Sequence, residues 1–170
     1  MPQSSELAHL LGKYNKKRIP HKMKLTDNWF STMAETDNGM PIFISGRDDM
    51  DEFRSSGKFN ERVEIYWKYE SYHNGMPSDS EGELMEQVID ALRTAVEKDK
   101  LAILTGMYTG DGERTLIFYA RTSRVFGERL NEALASFPQL PITLYVEIDP
   151  DWNEYQEMSE IKQFTNEDEV

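Results

Sequence analysis

The chain is 170 residues long, 38% hydrophobic and 11% aromatic, enough for one sizeable core and cramped for two full domains. It contains no cysteine, which excludes disulfides, thiolate nucleophiles, iron–sulfur clusters and cysteine zinc sites. The net charge of −12 is uneven: Lys13, Lys16, Lys17, Arg18, Lys22 and Lys24 against Glu6 give residues 1–25 a charge of +5, leaving −17 for a body that repels nucleic-acid backbones.

No apolar run approaches the ~18 residues of a membrane span, and the N-terminus lacks the apolar centre of a secretory signal. Both point to a cytoplasmic protein without a membrane span. Residues 1–27 read as a basic arm. Within it residues 4–17 read as a short helix, with Ser4 or Ser5 as the expected cap and Leu7, Leu10, Leu11 and Tyr14 on one stripe. Pro20 ends that helix, and a linker follows. Trp29 to Glu35 and Pro41 to Ser45 flank Thr36-Asp37-Asn38-Gly39, where Asn-Gly supplies the positive φ angles of a tight hairpin turn. This hairpin, residues 28–46, precedes the main fold. The polar stretch 46–60, with Asp48, Asp49, Asp51 and Glu52, reads as a loop with one helical turn.

Residues 61–149 then follow the order β-α-β-β-α-β. Val63, Ile65, Trp67 and Tyr69 alternate with Glu64, Tyr66, Lys68 and Glu70 in the first strand. Ser78-Asp-Ser-Glu81 has the spacing of a capping box and announces a helix with Leu84, Val88, Ala91, Leu92 and Ala95 along one side. Leu101 to Tyr108 and Thr115 to Arg121 are strands around the turn Gly110-Asp111-Gly112. Phe126, Leu130, Ala133, Leu134 and Phe137 mark the second helix, which Pro138 stops. Ile142, Leu144, Val146 and Ile148 alternate in the last strand, an apolar row whose burial would set its register. Residues 156–170 read as an acidic tail. The fold class expected is α+β: a ferredoxin-like βαββαβ sandwich with an additional N-terminal β-hairpin, in one domain over residues 28–155.

Gly75-Met-Pro77 before the first helix, Ala102-Ile-Leu-Thr-Gly106, Arg114-Thr-Leu-Ile-Phe-Tyr119, Leu140-Pro141 and the closing Asp149-Pro-Asp-Trp-Asn-Glu-Tyr155 together carry a resemblance. Over roughly residues 28–155 the chain resembles the bacterial family labelled domain of unknown function 695. The Asp-Pro-Asp-Trp element is the most specific part. The resemblance implies a ferredoxin-like α+β fold and no established activity. A more distant similarity in fold order links such domains to the acidic protein inhibitor of ribonuclease E known as regulator B, with no shared motif from which binding residues carry over.

The candidate sites are few. The face of the sheet without helices would present Tyr66, Lys68, Tyr108, Ile117, Tyr119, Arg121 and Tyr145. Aromatic rings among cations suit single-stranded RNA, but Arg114 to Arg121 lacks the glycines of the RNA-recognition consensus. A face covered by the hairpin or by a second subunit is the preferred reading. Asp149, Asp151, Trp152 and Tyr155 form a structural motif, the two aromatics folding the chain end over the sheet edge. Asp149, Asp151, Asn153 and Glu160 have the spacing of a calcium loop, but Glu154 stands where that loop needs glycine and the segment follows a strand. No metal and no cofactor are expected. His9, His21 and His73 are scattered, and neither a Gly-x-Ser-x-Gly elbow nor a phosphate-binding glycine loop is present. The expectation is a non-catalytic acidic adaptor or regulator acting through protein contacts, a homodimer that binds no DNA. A carboxylate-based or metal-dependent hydrolase and an RNA binder are the alternatives.

Overall fold

A computed structural model of the chain describes residues 23–71 and 74–168, with side chains as far as residue 162. The expected arm helix over residues 4–17 and the three histidines lie outside the described residues. The elements are β1 (Trp29–Glu35), β2 (Pro41–Arg47), α1 (Asp51–Ser55), β3 (Glu61–Lys68), α2 (Asp79–Glu97), β4 (Ala102–Gly110), β5 (Glu113–Ala120), α3 (Ser123–Leu134), β6 (Ile142–Ile148) and α4 (Asn153–Asp168). Every strand pairs antiparallel with its neighbours in one sheet, in the order β1-β2-β4-β5-β3-β6.

Local chemistry accounts for the element ends. Asp111 and Gly112 both take positive φ, 53° and 83°, as the two-residue turn between β4 and β5 requires. The β1–β2 connection differs from the expected tight Asn-Gly turn. Only Gly39 is left-handed there, at 78°, and the turn closes with Gly39 N–H on Thr36 O at 2.9 Å and Met40 N–H on Thr36 Oγ1 at 3.0 Å. Ser78 caps α2 by accepting from Glu81 N–H at 3.2 Å. The reciprocal half of the box is diverted: the Glu81 carboxylate accepts from the indole of Trp67 at 2.7 Å, tying the helix start to β3.

α2 and α3 cover the first face. Their core side chains are Met85, Val88, Ile89, Leu92 and Val96 from α2 and Phe126 and Leu130 from α3, packed on Val63, Ile65, Trp67, Leu104, Leu116 and Phe118. At one margin Arg47, 2% exposed, pairs with Glu97 at 2.8 Å and donates to Leu104 O. The Trp29 ring lies within 5.2 Å of this guanidinium and 5.7 Å of Arg93.

Three expectations are corrected here. The 28–46 hairpin does not lie on a sheet face; β2 pairs Phe43–Gly46 with Gly106–Thr109 and so occupies the edge of β4, satisfying backbone groups that would otherwise stand open. The second face is not helix-free, because the expected acidic tail continues as α4 and packs there with α1. Finally, the apolar row of β6 is not buried: Leu144, Val146 and Ile148 are 43%, 44% and 68% exposed, since β6 lies at the sheet edge beyond the helices.

Candidate functional site: the covered face and the open edge beside it

The strand registers bring the second-face side chains into rows. Tyr108, Thr115, Tyr66 and Thr143 lie abreast across β4, β5, β3 and β6; Gly106, Ile117, Glu64 and Tyr145 form the next row. α4 packs on β1, β2 and β4. Two glycines make room for it: Gly46 and Gly106 are register partners, and a Cβ would run into Met158 at Gly106 and into the Phe30 ring, with Met158 behind it, at Gly46. Trp152 stacks on Tyr119 at 4.2 Å and donates its indole N–H to Phe59 O at 2.8 Å. Tyr155, edge-on to Trp152, donates to Arg47 O at 2.5 Å. Arg54 of α1 donates to Asp151 O and Gln156 Oε1, joining the two helices that cover this face.

Asp149 holds the start of α4 and the sheet together. Its carboxylate accepts from Asn153 N–H at 2.9 Å, Arg62 at 2.7 Å and the Tyr119 hydroxyl at 2.8 Å. Burial alone would raise its pKa, but these donors outweigh burial and hold it below the ordinary aspartate value. Arg62 also pairs with Glu147 at 2.6 Å and lies 3.4 Å from Glu64, although its buried Nε makes no hydrogen bond of good geometry.

The candidate residues named from sequence therefore separate. Tyr119 is fully buried under Trp152, and Tyr108 is half-buried, donating to Glu154 Oε1 at 3.1 Å. Arg121 leaves the face at the sheet end, where it donates to Lys100 O and lies 5.1 Å above the Phe59 ring. Tyr66, Lys68 and Tyr145 remain on the open β3–β6 part, with Tyr66 donating to Glu64 at 2.6 Å and Tyr145 to Glu147 at 3.0 Å. Burial, and then the neighbouring carboxylate, push the hydroxyls of Tyr66, Tyr108 and Tyr119 well above the usual tyrosine range, so all three are proton donors near neutrality. Glu154 is pushed up by burial and by the nearby Glu157 and Glu64, against the opposing bond from Tyr108. Asp149 and Asp151, Trp152 and Tyr155 are the scaffold of the helix start. Among the described residues no group of three or more acidic or histidine side chains is placed to hold a metal ion.

Sequence reasoning missed α4 because its apolar positions are sparse and its composition acidic. Two signals could have found it: Trp152, Tyr155 and Met158 recur at every third position, and paired strand glycines mark a close approach.

Beside this polar network lies the edge. β6 follows β3 over seven residue pairs without a bulge, and carries no lysine and no proline. Lys68 N–H donates to Pro141 O at one end of the ladder and Asp149 N–H to Asn60 O at the other. Because antiparallel bonding recurs at every second residue, Thr143, Tyr145 and Glu147 bond to β3, while the backbone groups of Leu144 and Val146 turn outward. Among the described residues, Glu147 is the one charge on this edge strand, and the other usual defences against pairing, a lysine, a proline or a bulge, are absent from it.

Residues 27–158 match the family described as "Family of unknown function (DUF695)", and the chain belongs to that family. The matched span takes in all six strands together with Asp149, Trp152, Tyr155 and Met158, and so reaches into the first part of α4. No curated protein and no solved structure matches the chain. Among the described residues no helix is long and apolar enough to cross a membrane.

Proposed function

We propose that this family member is a non-catalytic, cytoplasmic adaptor or regulatory protein that acts through protein contacts. Its frame is a ferredoxin-like unit made of β3, α2, β4, β5, α3 and β6, to which the hairpin adds two strands and α4 a third layer. The order β4-β5-β3-β6 and the hairpin between β4 and β5 support that reading of the frame.

The observation that carries the function is the exposure of Leu144, Val146 and Ile148 on an edge strand whose backbone is ready to bond. Large apolar side chains gathered on one strand mark an interaction surface. The polar groups nearby are engaged with one another instead of being poised for chemistry: Tyr66 with Glu64, Tyr145 with Glu147, and Arg62 with Glu147 and Asp149. RNA binding has weaker support. Tyr119 is sealed beneath Trp152, and the hydroxyls of Tyr66, Tyr108 and Tyr145 each sit against a carboxylate that would repel phosphate.

Replacing Val146 with a photo-crosslinking amino acid in living cells tests the proposal, with the exposed Arg124 of α3 as control position. Discrete adducts from position 146 and none from 124 are expected. Equal labelling from both, or none from either, overturns it.

A further inference from the structure

We infer that β6 pairs antiparallel with β6 of a second copy of this chain, about a two-fold axis at Tyr145, with Ile148 of each copy seated in a groove beside Ile142 of the other. The inference rests on β6 being a protein-binding edge and goes beyond it by naming the partner.

Three features agree on this register. The first is bonding parity. A two-fold axis at Tyr145 sets Leu144 opposite Val146 of the second copy, Ile142 opposite Ile148 and Thr143 opposite Glu147. The outward-facing backbone groups of Leu144 and Val146 then meet as hydrogen-bonded pairs, and all seven residues of the strand are used. The second is side-chain parity. Ile142, Leu144, Val146 and Ile148 share one face of β6, so the axis places apolar opposite apolar along that face. Glu147, the only charge on the strand, faces Thr143 of the second copy and not another carboxylate, and pairs with Arg62 of its own chain at 2.6 Å.

The third feature is a matching knob and groove. A groove of about 220 Å³ lies between the end of α3 and the start of β6, where Leu130, Leu134, Phe137 and Ile142 share the lining with the polar Asn131 and Gln139. Ile148, at 68%, is the most exposed large apolar side chain among the described residues. Pairing Ile142 with Ile148 brings the knob of one copy beside the groove of the other, and the two-fold axis does this twice. A contact that is self-complementary in bonds, side chains and shape is what a closed two-fold dimer requires.

The absence of cysteine makes the test clean. In the full chain, Tyr145→Cys places two thiols at a non-hydrogen-bonded pair, where Cα atoms stand ~4.5 Å apart, within disulfide reach. Leu144→Cys places its thiols two residues out of register, beyond the ~7 Å limit. Under mild oxidation Tyr145→Cys is expected to form a covalent dimer, while Leu144→Cys and Val146→Cys alone do not and their mixture does. Sedimentation equilibrium of the unmodified protein is expected to give a dimer that Val146→Lys converts to a monomer with an unchanged circular dichroism spectrum. A monomer at every concentration reached, growth beyond the dimer, or linking through position 144 or 146 alone overturns the inference. If the protein is monomeric but the photo-crosslinker at 146 still captures another protein, self-pairing fails while the protein-binding edge stands; if both experiments are negative, both readings fall.

Discussion

Asp149→Asn isolates the contact that fastens α4 to the sheet. In the native protein Oδ2 accepts from both Arg62 and Tyr119, and Oδ1 accepts from Asn153 N–H. Asparagine has the same shape but one acceptor, so its amide group must point at donors on one side, and the charge facing Arg62 is lost. A hydrogen bond to a charged group contributes about 1.5–3 kcal/mol, and a buried group left facing the wrong partner costs about 1–3 kcal/mol. A loss of about 3–4 kcal/mol at pH 7 is expected, lowering the melting temperature by about 10 °C for a chain of this size. The effect must depend on pH. Because the folded pKa of Asp149 is depressed, its contribution is complete above about pH 4, where the unfolded carboxylate is ionised, and is lost as pH falls through the folded value. Urea unfolding of both proteins across pH 7 to 2 measures this directly. A difference below about 1 kcal/mol at pH 7, or one that stays constant into acid, would refute the assignment of Asp149 as the charged anchor of α4.

Other perturbations probe the remaining supports. Glu97→Gln leaves the buried Arg47 guanidinium facing a neutral amide, with Asp27 3.9 Å away as partial relief; a loss of about 3 kcal/mol by urea titration is expected. Gly106→Ala pushes a methyl into Met158 and should destabilise by about 1–3 kcal/mol, with a double-mutant cycle to Met158→Ala showing coupling of at least about 0.5 kcal/mol. Trp152→Phe removes the bond to Phe59 O and should cost about 1–3 kcal/mol, read as a lower melting temperature with α2 and α3 intact by hydrogen exchange. Glu154→Gln should act in the opposite direction. The raised pKa means that burial penalises the ionised form above that pKa and not in acid, so the variant is expected to be the more stable at pH 7, by under about 1 kcal/mol, and equal to wild type below pH 4.

The element order and the helix-facing core were legible because periodicity is a local property. Val63, Ile65 and Trp67 alternate, and the α2 stripe repeats at helical spacing, although its buried centre is Met85, Val88, Ile89, Leu92 and Val96, turned by about a residue from the row expected. The two aromatics of Asp149 to Tyr155 suggested a chain end folded over the sheet edge; Trp152 instead stacks on Tyr119 of the interior strand β5, and the acceptance by Asp149 from Asn153 N–H was not foreseen. The polar hub was not. Arg62 is more than eighty residues from Glu147 and Asp149 in sequence, and only the register of β3 with β6 brings it to them.

By itself, then, the amino-acid order determined the six strands, the helices α2 and α3, where most turns fall and roughly which side of those two helices seeks a core, because those choices depend on neighbours a few residues away. Tertiary structure alone decided which strand lies at the edge and which face receives a third layer. The same alternation in β3 and β6 leaves Val63 buried and Val146 open, since burial depends on what lies on the far side of a strand, and no pattern within the strand encodes that.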